Sequence, residues 1–295
     1  MSHKTIFTGA GVAIVTPMNA DGSLNLEKFR EIVEDQIQNG IDAIIACGTT
    51  GESPTLNHEE HTAVLRAAVE QTDGRVPVIA GTGSNDTAYC IQLSKEAEKL
   101  GVDALLLVSP YYNKTSQRGL IAHYTAVADA VNVPIILYNV PSRTGVDIKP
   151  QTVAELAKHP RIVGIKQANG NIASVAEIAA LCDIDIYSGN DNEIVPMLAL
   201  GGKGVISVIA NIVPRETHEL CQKWFNGDVQ GSCQMQLQYL ELAQAMFSDV
   251  NPIPVKEAMN LMGMGVGECR LPLYHMDETG RQKLRAVLQK YGLLA

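Results

Sequence analysis

Short apolar runs alternate along the chain with longer segments in which apolar residues recur at helical spacing. The runs predict eight strands, at residues 11–16, 43–47, 76–80, 104–108, 134–138, 162–166, 184–188 and 204–209. The longer segments predict helices at residues 26–39, 57–72, 86–100, 117–130, 150–159, 172–181 and 214–225. Because most runs are apolar throughout, they indicate strands that are buried on both faces of a parallel sheet.

This regular alternation predicts right-handed βαβ units. Eight repeats are the number that closes a (β/α)8 TIM barrel, in which no strand edge is exposed. The alternative is a doubly wound open sheet, which would carry a glycine-rich dinucleotide loop after its first strand. Gly9-Ala10-Gly11 precedes that strand instead. The pattern therefore favours an α/β protein with a closed barrel.

The strand signal stops after Asn211, and only helices are predicted beyond it. The helix at 214–225 completes the eighth βα unit. Three further helices are predicted at residues 231–247, 255–262 and 279–291. We therefore expect a barrel over residues 1–226, followed by a C-terminal three-helix extension over residues 227–295.

Composition and charge exclude several classes of partner. The formal net charge is −9, and no cluster of lysine and arginine forms the basic surface that nucleic-acid binding requires. No apolar run is long enough to span a bilayer, and residues 1–4 lack the apolar core of a signal peptide. The six cysteines form no Cys-x-x-Cys pair, and His-Glu-x-x-His is absent. We expect a cytoplasmic protein with no nucleic-acid or membrane partner, no metal site and no cofactor.

Lys166 ends the predicted sixth strand, directly after the apolar run 162–165. Lysine is rarely buried without a partner or a task. Burial disfavours the ammonium form and leaves a neutral amine that can act as a nucleophile. The alternative is a lysine whose stem lies along the strand while its ammonium group extends into water.

Other polar residues follow neighbouring strands, and active sites of such barrels lie at the carboxyl ends of the strands. Tyr138 ends the strand before that of Lys166. Strands that pair as neighbours lie about 4.8 Å apart, so the phenol and the amine are expected to form a proton-transfer pair. Arg143 follows in the same loop and can bind a carboxylate through two hydrogen bonds. Thr49 and Thr50 follow the second strand. Each also has a structural alternative. Tyr138 can be an aromatic that fills the barrel mouth, Arg143 a surface arginine, and Thr49 and Thr50 part of a simple turn. Together they predict an enzyme that activates a small carboxylated carbonyl compound on Lys166.

Six motifs in order carry a resemblance to a known superfamily. They are Gly-Val-Ala-Ile-Val-Thr-Pro at 11–17, Gly-Thr-Thr-Gly-Glu at 48–52, Tyr-Asn-Val-Pro-Ser-Arg-Thr-Gly at 138–145, Ile-Lys at 165–166, Ser-Gly-Asn-Asp at 188–191 and Asn-Pro-Ile-Pro-Val-Lys at 251–256. Over nearly its whole length the chain resembles the N-acetylneuraminate lyase and dihydrodipicolinate synthase superfamily of class I pyruvate aldolases. Within it, the arginine at 143 matches the dihydrodipicolinate synthase pattern, where it binds the carboxylate of L-aspartate 4-semialdehyde.

The resemblance implies a role for each matching residue. Lys166 would form the imine with pyruvate, and Tyr138 would move protons through Thr49 to Tyr112. In the family this last tyrosine reaches in from a neighbouring subunit, which implies an oligomer, usually a homotetramer built from two tight dimers. The remaining matches would bind substrate: Thr50 the pyruvate carboxylate, Arg143 the aldehyde's carboxylate, and Gly189 and the Ile206 carbonyl the other side of the site.

The resemblance also implies an effector site, because lysine-inhibited members bind lysine at their dimer interface. The matching residues are Ser53, Pro54, His58, Asn85 and Tyr111, with His61 less certain. At position 89 the inhibited members have a glutamate, whereas this chain has Tyr89. An ammonium group without that carboxylate is poorly compensated, so we expect weak or altered inhibition by lysine. The alternative is that the two histidines only begin a helix.

Two other functions fit parts of the pattern. One is a different pyruvate aldolase of the superfamily, N-acetylneuraminate lyase-like or acting on another oxo acid, and Arg143 argues against it. The other is a barrel that binds an oxo acid without catalysis. Binding alone needs no proton relay, so the presence of Lys166, Tyr138, Thr49 and Tyr112 together favours the enzyme.

Overall fold

The computed structural model describes residues 4–294. Its eight strands form one closed parallel barrel in chain order, and β8 returns to pair with β1. The predicted TIM barrel is confirmed. The strands are β1 (Gly9–Ala13), β2 (Ala43–Ala46), β3 (Val78–Gly81), β4 (Ala104–Val108), β5 (Ile135–Asn139), β6 (Ile162–Gln167), β7 (Asp185–Ser188) and β8 (Gly204–Ser207).

Helices surround the barrel and continue beyond it. Those within the βα repeats are α1 (Leu26–Gln38), α2 (His58–Thr72), α3 (Thr87–Leu100), α4 (Gln117–Ala130), α5 (Pro141–Thr144), α6 (Pro150–Leu156), α7 (Ile172–Leu181), α8 (Ile194–Ala199) and α9 (Pro214–Phe225). The C-terminal region holds α10 (Val229–Gln238), α11 (Leu240–Ala245), α12 (Ile253–Leu261) and α13 (Glu278–Lys290).

The barrel interior is filled by side chains and is not an open channel. The rings of Phe7 and Tyr187 stack with centroids 4.4 Å apart, and the Tyr187 hydroxyl donates to the Phe7 carbonyl at 2.8 Å. The second, larger apolar layer lies between the strands and the helices and includes Val12, Phe29 and Leu105. A filled interior confines a ligand site to the strand ends and their loops.

The observed strands differ from the predicted ones mainly at their ends. The first strand was predicted at 11–16, but β1 begins at Gly9, which pairs with Gly204 of β8. It ends at Ala13 because the chain then leaves the sheet, and the Val15 N–H donates to the side-chain oxygen of Asn211 instead of to a strand. Apolar character continues past the last paired residue, so hydropathy alone places this boundary too late.

The predicted helix at 231–247 is wrong as a single element, because the chain breaks at Tyr239 into α10 and α11. The described C-terminal region therefore has four helices rather than three. Gln236 holds the end of α10 against the barrel: its Oε1 accepts from the Val195 N–H at 3.1 Å and its Nε2 donates to the Asp191 carbonyl at 2.8 Å. Helices α5 and α8 were not predicted, since four and six residues are too few to show a helical period.

The C-terminal helices pack onto the barrel. Leu242 and Met246 near α11, and Val255 and Met259 of α12, belong to the same apolar core as the barrel helices. The division of the chain after residue 226 stays a prediction. Within residues 4–294, no helix is both long and apolar enough to cross a membrane.

Candidate active site

Lys166 lies in β6 directly opposite Tyr138 of β5, as the strand spacing predicted. Its side chain is buried, with 5% of its surface exposed, and its Nζ lies 4.4 Å from the centroid of the Tyr138 ring. The alternative of a lysine extending into water is therefore wrong. Within residues 4–294, this Nζ makes no hydrogen bond and no ion pair. An amine held in this way is free to react with a carbonyl carbon.

Asp191 is a buried carboxylate on the same side of the barrel. Its Oδ2 accepts from the Val208 and Ile209 N–H groups at 3.0 and 3.1 Å, which shapes the loop after β8. Burial raises the pKa of Asp191, while these hydrogen bonds and the charge of Lys166 act in the opposite direction. The interaction with Lys166 is reciprocal, so an ionised Asp191 stabilises positive charge that develops on that side chain. The sequence motif at 188–191 contains this residue, but no role was predicted for it.

Gly189 lies next to the side chain of Lys166. A Cβ added at Gly189 would lie 2.6 Å from the Ala168 Cβ and 3.1 Å from the Lys166 Cε. Only glycine therefore leaves room for the lysine stem at this position. Ile206 lies in β8, fully buried and paired with Gly11 of β1.

The segment 48–52 after β2 is held from two sides. Thr50 is buried, and the hydroxyl of Thr16 donates to the Gly51 carbonyl at 2.7 Å. Glu52 has a left-handed backbone, with φ of 57°, and its carboxylate is buried. The Lys256 Nζ of α12 donates to the Glu52 Oε1 at 2.8 Å, and both side chains are almost fully buried. This ion pair joins the C-terminal region to the segment that carries both threonines.

Asn251, just before α12, contacts two of the predicted site residues. Its Nδ2 donates to the Thr50 Oγ1 at 3.0 Å, and its carbonyl accepts from the Arg143 Nη2 at 3.0 Å. Sequence reasoning quoted Asn251 only as part of a motif and missed this role. Asn251 is far from both Thr50 and Arg143 along the chain, so no local sequence pattern indicated these contacts.

A cleft of about 370 Å³ opens beside the predicted site residues. Thr49 and Arg143 line it, so it reaches the predicted active site. Five of the residues considered for the effector site also line it: Ser53, Pro54, His61, Tyr89 and Tyr111. The structure therefore brings most of the predicted effector residues to the same cleft as two site residues.

Three of the predicted effector residues also make contacts within the chain. Asn85 donates through its Nδ2 to the Tyr111 carbonyl at 3.1 Å, which ties the two loops together. His58 contacts Glu96 of α3, with 2.9 Å between Nε2 and Oε2. His61 is buried, donates through Nε2 to the Gly81 carbonyl at 2.9 Å, and has its pKa lowered by burial. Burial thus favours the neutral form of His61.

Tyr112 is the predicted relay residue that does not enter its own site. Its side chain is 91% exposed, and its backbone has a left-handed φ of 67°. A bulky residue in that conformation is strained, and surrounding structure usually has to hold it there. On its own chain the Tyr112 side chain is therefore exposed to solvent, whereas Lys166 is buried.

Comparison with known proteins identifies the family. The dihydrodipicolinate synthetase family model matches residues 6–291. This chain belongs to that family. One curated member, the 4-hydroxy-tetrahydrodipicolinate synthase of Acetivibrio thermocellus, is 55% identical over 294 residues, covering 99% of this chain and 100% of the relative.

Solved structures of the family share the fold closely. The chloride-inhibited dihydrodipicolinate synthase from Acinetobacter baumannii, complexed with pyruvate, is 44% identical with a TM-score of 0.96, covering 98% of this chain and 100% of that one. The enzyme from Cyanidioschyzon merolae with lysine bound is 38% identical with a TM-score of 0.96, covering 99% and 100% of the two chains. The suspected membership of the dihydrodipicolinate synthases is thereby confirmed.

Proposed function

We propose that this protein is a lyase that condenses pyruvate with L-aspartate 4-semialdehyde, giving 4-hydroxy-tetrahydrodipicolinate in the diaminopimelate route to lysine. The observation that carries the proposal is the buried, unpaired amine of Lys166 beside Tyr138 at the barrel mouth. The near-complete match to curated synthases of this name supports the same reaction.

The reaction begins with attack of the Lys166 Nζ on the keto carbon of pyruvate. Loss of water leaves a protonated imine, and loss of a methyl proton turns it into an enamine. The enamine carbon attacks the aldehyde of the second substrate, and the amino group of that substrate closes the ring as the Lys166 Nζ leaves. Tyr138 donates and accepts the protons, and the relay continues through Thr49 to Tyr112. These steps use side chains alone, so we propose no cofactor and no metal.

Pyruvate is held mainly by neutral donors. The hydroxyl and N–H of Thr50 donate to its carboxylate, while Gly189 and the Ile206 carbonyl line the other side. Thr50 is buried, and in a buried site hydrogen bonds to a carboxylate are stronger than in water. Neutral donors add no fixed positive charge near this carboxylate. The positive charge of the imine nitrogen then draws the electrons released with the methyl proton, which favours the enamine.

We infer that the enzyme acts in the cytoplasm as a homotetramer, a dimer of dimers, with no nucleic-acid or membrane partner. The 91% exposure of Tyr112 supports the assembly, because a second subunit can bring its own Tyr112 to Thr49. Such an arrangement completes the relay only in the oligomer.

Arg143 is expected to select the second substrate. Its Nη2 is fixed by the Asn251 carbonyl, which leaves the other guanidinium nitrogens free for a carboxylate. Arg143→Ala should raise the KM for L-aspartate 4-semialdehyde by about 10- to 100-fold and leave the KM for pyruvate within about threefold. Initial rates coupled to the downstream reductase through NADPH loss measure both constants.

The matched control is Arg161→Ala. Arg161 directly precedes β6, so it lies at the opposite end of the barrel from the site, where it contacts Asn132. It should leave both constants unchanged. Equal losses for the two substrates in Arg143→Ala would contradict the proposed role. A wild type that forms the pyruvate imine but does not turn over the aldehyde would favour the alternative, another class I pyruvate aldolase.

The cleft beside the active site is proposed to bind lysine weakly. A related synthase has been solved with lysine bound, whereas here position 89 offers the phenol of Tyr89 and no carboxylate. Glu96 does not compensate, because it is already paired with His58. Half-inhibition should need at least about tenfold more lysine in the wild type than in Tyr89→Glu, since a charge-assisted hydrogen bond contributes about 1.5–3 kcal/mol.

Dose–response curves at fixed substrate concentrations measure this difference. Tyr89→Phe is the control, because it keeps the ring and adds no charge, and it should match the wild type. Equal sensitivity of wild type and Tyr89→Glu would refute the proposal.

A further inference from the structure

We propose that Asn251 is a positioning residue that aims the Thr50 hydroxyl at the pyruvate carboxylate, an inference that rests on the proposed function. It comes from the C-terminal region, yet it touches the two residues assigned to the two substrate carboxylates. Asn251 itself is 6% exposed. No part of the reaction assigned so far requires it.

The direction of the hydrogen bond gives the mechanism. The Asn251 Nδ2 can only donate, so at 3.0 Å it uses a lone pair of the Thr50 Oγ1 and leaves the hydroxyl hydrogen unengaged. Within residues 4–294, that hydrogen has no acceptor. It is therefore available to donate to an anion in the site. Donation from Asn251 also polarises the hydroxyl and makes it a stronger donor.

The asparagine is not explained by structural needs alone. Its Oδ1 is buried without a hydrogen-bond partner in the described residues. Leaving a buried acceptor unpaired costs about 1–3 kcal/mol, and a residue placed there only to pack would avoid this cost. In this site the Asn251 amide acts through its Nδ2, as a hydrogen-bond donor.

The position of Asn251 is fixed by a second contact between the same two segments. Lys256 lies in the first turns of α12 and is bonded to Glu52, two residues after Thr50. Lys256 also donates to the Thr16 and Glu268 carbonyls at 3.2 and 2.7 Å. Two side chains of the C-terminal region therefore hold both ends of the segment 50–52, and Asn251 sets the orientation at the site end.

A double-mutant cycle tests this role with Asn251→Ala, Thr50→Val and the combined variant. Pyruvate KM and kcat are measured at saturating L-aspartate 4-semialdehyde, and Tm is measured for each protein. We expect each single change to raise the pyruvate KM about tenfold or more, and the combined variant to resemble Thr50→Val. Asn251→Asp should raise the KM further than alanine does, because its carboxylate takes the Thr50 hydrogen and repels pyruvate.

The outcomes separate this role from a merely structural one. Met259→Ala opens a cavity in α12 without touching the site, so it should lower Tm and leave the pyruvate KM unchanged. If Asn251→Ala and Thr50→Val each raise the KM and their effects multiply, Asn251 does not act through Thr50. If Asn251→Asp leaves the KM unchanged, the proposal also fails. An unchanged KM in Thr50→Val would instead overturn the assignment of Thr50 in the proposed function.

Discussion

Lys166→Ala is expected to lower kcat by about 10⁴-fold or more, because no other group replaces the amine that forms the imine. The same substitution should leave Tm unchanged or higher. Lys166 is buried and makes no hydrogen bond or ion pair in the described structure, and removing a buried amine of this kind relieves a cost of folding. A site residue whose loss removes activity and not stability is placed there for chemistry.

Three measurements check this expectation. The coupled assay gives the rate, thermal unfolding gives Tm, and borohydride reduction in the presence of pyruvate traps the imine as a stable adduct detected by mass spectrometry. Lys158→Ala is the control, since that side chain is 71% exposed on the outside of the barrel, and it should react and trap like the wild type. A trapped pyruvate adduct on Lys166→Ala, or a rate within tenfold of the wild type, would contradict the assignment.

Lys256→Met is expected to lower the free energy of unfolding by about 3–5 kcal/mol, because it leaves the Glu52 carboxylate buried without its cation. The pair is among the most buried ionic contacts described, with side-chain exposures of 2% and 0%. Glu52 also accepts from the Arg270 N–H at 2.9 Å, so the loss should loosen the segment 268–270 as well as the threonine segment. Activity should fall together with stability.

Urea unfolding of the wild type and Lys256→Met measures the loss. Combining Lys256→Met with Glu52→Gln removes both charges, so it should recover a large part of the stability. Lys158→Met is the comparison, because its pair with Glu155 is exposed and should contribute about 1 kcal/mol or less. A loss below about 1 kcal/mol for Lys256→Met, or a double variant as unstable as the sum of the singles, would show that the pair does not stabilise the fold.

Much of the site followed from local pattern combined with one rule of topology. Apolar runs of strand length, repeated eight times, predicted a closed barrel, and residues just after such runs meet at one rim. The adjacency of Tyr138 and Lys166 was therefore predictable from consecutive strands, and the register confirms it. The resemblance added chemical roles to these positions, and the family match supports the reaction as a whole.

What the local pattern missed depends on contacts between distant residues. Glu52 and Lys256 are separated by 204 positions, and Asn251 is 108 positions from Arg143. No periodicity links such residues, because each belongs to an element whose own pattern is complete without the other. The break between α10 and α11 at Tyr239 was not predicted for a related reason. The end of α10 is held by hydrogen bonds of Gln236 with Asp191 and Val195, which are distant in the chain.

The amino-acid sequence determined the barrel, the position of the candidate nucleophile Lys166 and the rim on which it lies, since strand periodicity and strand order are local properties. The tertiary structure alone decided that Lys166 is buried and unpaired, that Glu96 is already occupied by His58, and that Asn251 bridges Thr50 and Arg143. Burial and pairing depend on which distant side chains share the same space. For Asn251, the contacts with Thr50 and Arg143 form only where the C-terminal region packs against the barrel.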